Sequence, residues 1–172
     1  LSAGLRVERG ESDLLPDDPL RRPGDLYFPT WARGRKVAMD FAVASPLQAS
    51  MVTAAAHTVL AAAAAYEERK RMDRDTADRC NAQGIELIPM VVESFGGWGR
   101  AAQEAFRVLA RARAARSGQS VSTATSQLHQ GLSNKLMRAN ARALLARVAA
   151  GEEATAGGPR ERAQGWLEAT AV

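Results

Sequence analysis

Residues 36–43 read KVAMDFAV, an apolar stretch of strand length with one aspartate in its middle. Side chains along a strand alternate between two faces, so Val37, Met39, Phe41 and Val43 lie on one side and Ala38, Asp40, Ala42 and Ala44 on the other. A carboxylate directed into a packed interior is costly unless a cation or several hydrogen bonds satisfy it. The neighbours of Asp40 on its own face are alanines, which leave room for something else. Where this strand sits in the chain decides the fold, and what fills the space beside Asp40 bears on function.

Working outward toward the N-terminus, the turn TWARGRK, with Gly34 as its hinge, joins the strand to a short apolar run, Leu26 to Phe28. Pro29 marks that run as an edge or a strand end, and the two runs read as a hairpin. Before it stand RRPGD, the acidic connection ESDLLPDDPL and a short strand around Leu5 to Glu8. Toward the C-terminus, Ser45-Pro46 is a helix start, serine capping free amides and proline pre-shaped for the first helical position. Leu47 to about Arg79 then has high helix propensity with no interior Gly or Pro, and its alanine-rich first half is expected to bury against a sheet. Gly84 stops it. IELIPMVV, residues 85–92, has the continuous apolar character of a strand covered on both faces.

A glycine-rich turn, ESFGGWGR, leads to a helix from roughly Trp98 to Ala115. The polar stretch SGQSVSTATS separates it from a third helix, roughly Gln127 to Ala150, in which Leu128, Leu132, Leu136, Ala139 and Ala143 form an apolar stripe. Hairpin, helical crossover and further strand predict an α/β or α+β fold, a small mixed β-sheet flanked by helices. Residues 1–150 are expected to form a single domain, with a core over about 21–116, a basic helical extension over 117–150 and a loose tail over 151–172.

Hydrophobic residues make up 46% and charged residues 24% of the 172, a globular rather than a disordered composition. The alanine-rich stretch Thr53 to Ala65 is interrupted by His57 and Thr58, and no charged-then-apolar leader is visible, so neither a membrane span nor a signal peptide is expected. A chain starting at Leu1 reads as part of a longer product. The lone Cys80 excludes an internal disulfide and fits a reducing, intracellular compartment. His57 and His129 have no ligand-spaced partner, which argues against a His/Cys zinc site. Charge is unevenly placed: residues 98–150 hold nine Arg or Lys against Glu104 alone, whereas residues 1–97 hold twelve basic and fourteen acidic side chains. A polyanion is the natural partner of the second half.

Asp25 precedes Asp40 with fourteen residues between them, and pairing through the TWARGRK turn would bring the two carboxylates together. Hard oxygen ligands of this kind suit Mg²⁺ or Mn²⁺, which lower the pKa of a bound water and stabilise charge on a phosphodiester. Such sites add a fixed positive charge, for which Lys70 in YEERKRMDRD is the candidate. The bland readings are a solvated, salt-bridged helix end for that segment, a turn or strand-entry cap for Asp25, and for Asp40 an ion pair with Arg22 or Arg35. Glu93, at the end of its strand, is either a further ligand or a cap on the following loop.

RRPGDL, AMDFAV, the AYEERK helix and GIELIPMVVESFGGWG, in this order, resemble the restriction-endonuclease-like, or PD-(D/E)XK, nuclease domain. The version resembled lies downstream of the reverse transcriptase in non-LTR retrotransposons. The resemblance covers about Arg21 to Gly99. It implies a metal-dependent DNA endonuclease, a phosphodiester hydrolase with Asp25 and Asp40 as Mg²⁺ or Mn²⁺ ligands. Ala42 stands where the family's usual lysine falls, and the implied substitute is Lys70 on the helix. Gly24 stands where proline usually precedes the first aspartate. The alternative is an inactive module of the same fold that binds nucleic acid or protein partners. Nuclear access follows from the resemblance alone.

GGWG matches neither GxxxxGK[ST] nor GxGxxG and reads as a tight turn. Arg100, Arg107 and Arg111, at intervals of seven and four, share a helix face suited to a nucleic-acid backbone, as do Lys135, Arg138 and Arg142 on the next helix. The expected partner is DNA or RNA, with no membrane and no small-molecule cofactor beyond the metal.

Overall fold

A computed structural model describes residues 5–10 and 12–156 of the chain. Its centre is a mixed four-stranded sheet in the order β1 (Glu8–Arg9), β2 (Leu26–Phe28), β3 (Lys36–Ala44) and β4 (Ile85–Glu93). The expected hairpin is present: β2 and β3 are antiparallel, with Leu26 opposite Met39 and Phe28 opposite Val37. Their turn is held by Trp31 N–H on the Arg35 carbonyl at 2.7 Å. The expected crossover is present as well, because β3 and β4 run parallel from the Lys36/Ile85 pair to the Ala44/Glu93 pair. The chain is a mixed α/β protein whose sheet is flanked by helices.

The connection between β3 and β4 departs from the single long helix that propensity predicts. It breaks into α1 (Val52–His57), α2 (Ala61–Met72) and α3 (Thr76–Ala82). The breaks fall at Leu60 and Asp75, whose φ angles are 61° and 54°. Left-handed backbone costs an L-residue roughly 1–2 kcal/mol, a sum that tertiary packing readily exceeds. Breaking the helix lets α2 turn its alanines toward the sheet.

The alanine face of β3 receives that helix. Ala44 and Val91 pack with Ala62 and Ala63 of α2, with Ala42 and Tyr66 alongside. Small side chains on both surfaces permit a close approach, so the room beside Asp40 that the alanines suggest is largely taken by α2. Nearer the start of the strand, Ala38 joins Leu15, Tyr27, Cys80 and Ile85 in a second apolar cluster. Burial pushes the Cys80 thiol above its ordinary pKa, which leaves it an inert core residue.

On the opposite face Val37, Met39 and Met90 are buried. The helix α4 (Arg100–Ser117) packs against β4. Further along β3, Phe41 and Val43 are 39% and 57% exposed, so the strand is covered on both faces only in its first half. The fifth helix, α5 (Val121–Ala156), starts earlier than expected because Ser120 caps it, its hydroxyl accepting Thr123 N–H at 3.0 Å. Ala110 and Ala114 of α4 pack with Ala124 of α5. The chain divides into two compact units, Leu1–Gly131 and Leu132–Val172. Helix continues through Ala156, into the segment expected to be loose, and the rest of that segment lies outside the described residues.

Candidate active site around Asp40 and Lys70

Asp40 lies in the middle of β3, and its carboxylate Oδ2 is 2.7 Å from Lys70 Nζ. Neither Arg22 nor Arg35 is its ion-pair partner among the described residues, and Arg35 instead pairs with Glu86. The contact forms because α2 packs on the alanine face of β3 and Lys70 lies beyond the alanine run of that helix. Both side chains are partly covered, Lys70 at 28% and Asp40 at 19% exposure. Burial acts to lower the Lys70 pKa, but the hydrogen bond and charge of Asp40, helped by Tyr66 and Asp25, outweigh it and hold the ammonium above its ordinary value. At neutral pH Lys70 is therefore a fixed cation and not a proton acceptor.

Asp25 is exposed at the mouth of β2, and its Oδ2 accepts Phe41 N–H at 2.8 Å. The β2 pairing ends at Met39, so Asp25 covers the next free amide along the β3 edge. Within a strand a residue's N–H and C=O leave on the same side. The Phe41 carbonyl therefore lies on that same edge of the strand. Gly24 makes the approach possible: a Cβ there would sit 2.7 Å from the Met39 carbonyl oxygen. No side chain, and no proline ring, fits at that position without a shift of backbone.

A polar cleft of about 290 Å³ opens beside the ion pair, lined by Arg21, Arg22, Asp40, Lys70, Asp73 and Thr76 among others. Arg21 is committed within it, donating to the Thr76 hydroxyl and, at 3.2 Å, to the Asp73 carbonyl. Asp25 does not line the cleft, although its charge acts on Lys70. The structure thus brings Asp40 and Lys70 into contact and sets Asp25 on the adjoining strand edge. No group of three or more His, Cys, Asp or Glu side chains suited to a metal occurs among the described residues. The carboxylates that could hold a divalent ion here are those of Asp40 and Asp25. That set suits Mg²⁺, which fills much of its shell with water.

Glu67, on the same helix as Lys70, is 5% exposed and faces elsewhere. Its Oε1 accepts Ala101 N–H at 3.2 Å, at the start of α4, where the helix dipole favours a carboxylate. Gly99 makes room for it, since a Cβ there would lie 2.1 Å from Oε1. Burial raises the Glu67 pKa, an effect only partly offset by the Ala101 amide and Arg71. Glu93 acts as a brace, its Oε1 accepting Ala63 N–H at 3.2 Å. Gly97 and Gly99 of GGWG thus serve close packing, a Cβ on Gly97 falling 2.4 Å from Leu60, while Gly96 makes the turn at φ 103°.

The basic residues fall into two groups. On α4, Arg100, Arg107 and Arg111 are exposed, opposite the buried Ala102, Ala105, Phe106, Ala110 and Ala114. Arg100 spends part of its charge on Glu104 at 3.2 Å. On α5, Lys135, Arg138 and Arg142 are exposed in the second unit. No helix among the described residues is long and apolar enough to cross a membrane. Compared with known protein families, curated proteins and solved structures, the chain finds no match.

Proposed function

We propose that this chain is a metal-dependent DNA endonuclease domain of the restriction-endonuclease-like class, belonging to a retroelement reverse-transcriptase protein. The observation that carries the reading is the 2.7 Å contact of Lys70 with Asp40, beside a strand edge on which Asp25 holds the next amide. Two residues far apart in sequence and chosen for one chemistry lie together at the mouth of a polar cleft. Asp25 and Asp40 would hold Mg²⁺ or Mn²⁺, which when bound supplies an activated water and Lewis-acid stabilisation of the phosphodiester. Lys70, cationic at neutral pH, stabilises the negative charge that grows on the phosphorus oxygens. The exposed arginines of α4 and the basic residues of α5 grip the nucleic-acid backbone without reading sequence.

The test is nicking of supercoiled plasmid by the purified chain with Mg²⁺, Mn²⁺ or EDTA, alongside Asp40→Ala. Metal-dependent nicking that disappears in the variant is the expected result, and equal nicking by the variant sinks the assignment. A second reading, a nucleic-acid-binding module without catalysis, is favoured by the ion pair itself, which already neutralises Asp40. Under it the plasmid is bound and stays intact with either metal.

A further inference from the structure

A second pocket, of about 350 Å³, lies away from Asp40 where the start of α4 meets the first turns of α5. Its lining includes Trp98, Gln103, Phe106, Arg107, Thr125 and His129, and no acidic residue. Arg107 is exposed and has no ion pair among the described residues, since Glu104 is engaged by Arg100. His129 is half-buried and held edge-on against Phe106, with ring centroids 5.4 Å apart, while Phe106 in turn meets Trp98 at 4.8 Å. This aromatic chain fixes the imidazole without using its nitrogens. Gln103 donates its amide to the Trp98 carbonyl at 2.8 Å, and the Thr125 hydroxyl donates to Val121 at 2.8 Å. Trp98, which borders the pocket, also carries in its Nε1 the one buried side-chain nitrogen or oxygen without a hydrogen-bond partner among the described residues. Such a donor costs about 1–3 kcal/mol and marks packing left incomplete.

We propose that this pocket binds a phosphate-class oxyanion, with Arg107 and His129 as its donors. A guanidinium presents paired N–H groups to phosphate oxygens, and an imidazole presents an N–H in either protonation state. Without a carboxylate in the lining, neither donor is spent on a neighbour and no like charge repels the ligand. The ligand is either a free phosphate group or a phosphate of a nucleic-acid backbone. The site does not require cleavage at Asp40, and its occupancy is expected to be unchanged in Asp40→Ala.

The chain's two histidines provide the readout. His57, exposed on α1, serves as the reference for His129. Imidazole NMR resonances are followed while inorganic phosphate, or a single-stranded oligonucleotide without terminal phosphates, is titrated at constant ionic strength and pH. His129 signals are expected to move saturably while His57 stays put, and Arg107→Gln should weaken the apparent affinity at least about tenfold with its circular dichroism unchanged. Saturation by inorganic phosphate identifies a free phosphate group as ligand; saturation by the oligonucleotide alone identifies backbone phosphate. Movement of His129 with neither probe, movement equal to that of His57, or full binding by Arg107→Gln overturns the proposal.

Discussion

Glu67 and Lys70 leave the same helix three residues apart and meet opposite fates. Glu67 is buried against backbone, satisfied by the Ala101 amide and walled in by Gly99. Lys70 reaches the edge of the sheet, pairs with Asp40 and borders an open cleft. Burial perturbs both groups, yet only Lys70 has an opposite charge in direct hydrogen-bonding contact; the cation nearest Glu67, Arg71, stands 3.8 Å away. A charged residue sealed against an amide performs a structural job, because nothing can reach it. One paired beside open space remains available to a ligand.

The sharpest way to break this contrast is Lys70→Ala. Loss of a preorganised cation should lower metal-dependent cleavage about 10²–10³-fold, or about 2.7–4 kcal/mol. Because the pair is mostly covered, Lys70 at 28% and Asp40 at 19% exposure, leaving Asp40 without its partner should also cost about 1–3 kcal/mol in urea titrations, so cleavage is compared where the variant is fully folded. Cleavage at the original rate would assign Lys70 to the same structural role as Glu67. Next in size is Gly99→Ala, whose methyl group enters the space of the Glu67 carboxylate. A loss of about 1–3 kcal/mol, read as a lower urea midpoint, is expected. An unchanged midpoint would mean that Glu67 is free to move aside.

A smaller effect follows from the titration of Glu67. Its folded-state pKa is raised above the ordinary glutamate value of 4.5, so its favourable contribution is present in full below that value and lost as pH rises through the folded pKa. Glu67→Gln keeps an acceptor oxygen without the charge. Its melting temperature relative to the parent should therefore climb from pH 4 to pH 8, and a flat difference would remove burial as the dominant cause. The smallest change is expected at the surface, where Arg111→Gln should reduce the salt slope of duplex-DNA binding by about 0.9. An unaltered slope would take that side chain off the nucleic-acid surface.

Much of the frame was legible because its signals are local. Continuous apolar runs marked β3 and β4, Gly34 marked the hairpin turn, and Gly118, at φ 70°, marks the end of α4. Ser120, with Thr123 three residues on, was a readable start for α5 that the polar composition of the segment obscured. The breaks at Leu60 and Asp75 carried no comparable mark, since neither is glycine and neither neighbours proline. The role of Glu67 was hidden for another reason, as its acceptor contact is made to a backbone amide 34 residues away. Asp40 and Lys70 were identifiable as candidates from chemistry and resemblance, but their contact depends on where α2 crosses β3.

The amino-acid sequence by itself determined the mixed sheet, its order along the chain and the concentration of basic charge after Trp98, all properties of periodicity, turn chemistry and composition. Tertiary structure alone decided that alanines on β3 admit a helix, that Gly24 must lack a side chain to pass Met39, and that Lys70 rather than an arginine neutralises Asp40. The physical reason is range. Periodicity and capping act within a few residues, whereas the energy of a buried charge depends on groups that only the folded chain brings within hydrogen-bonding distance.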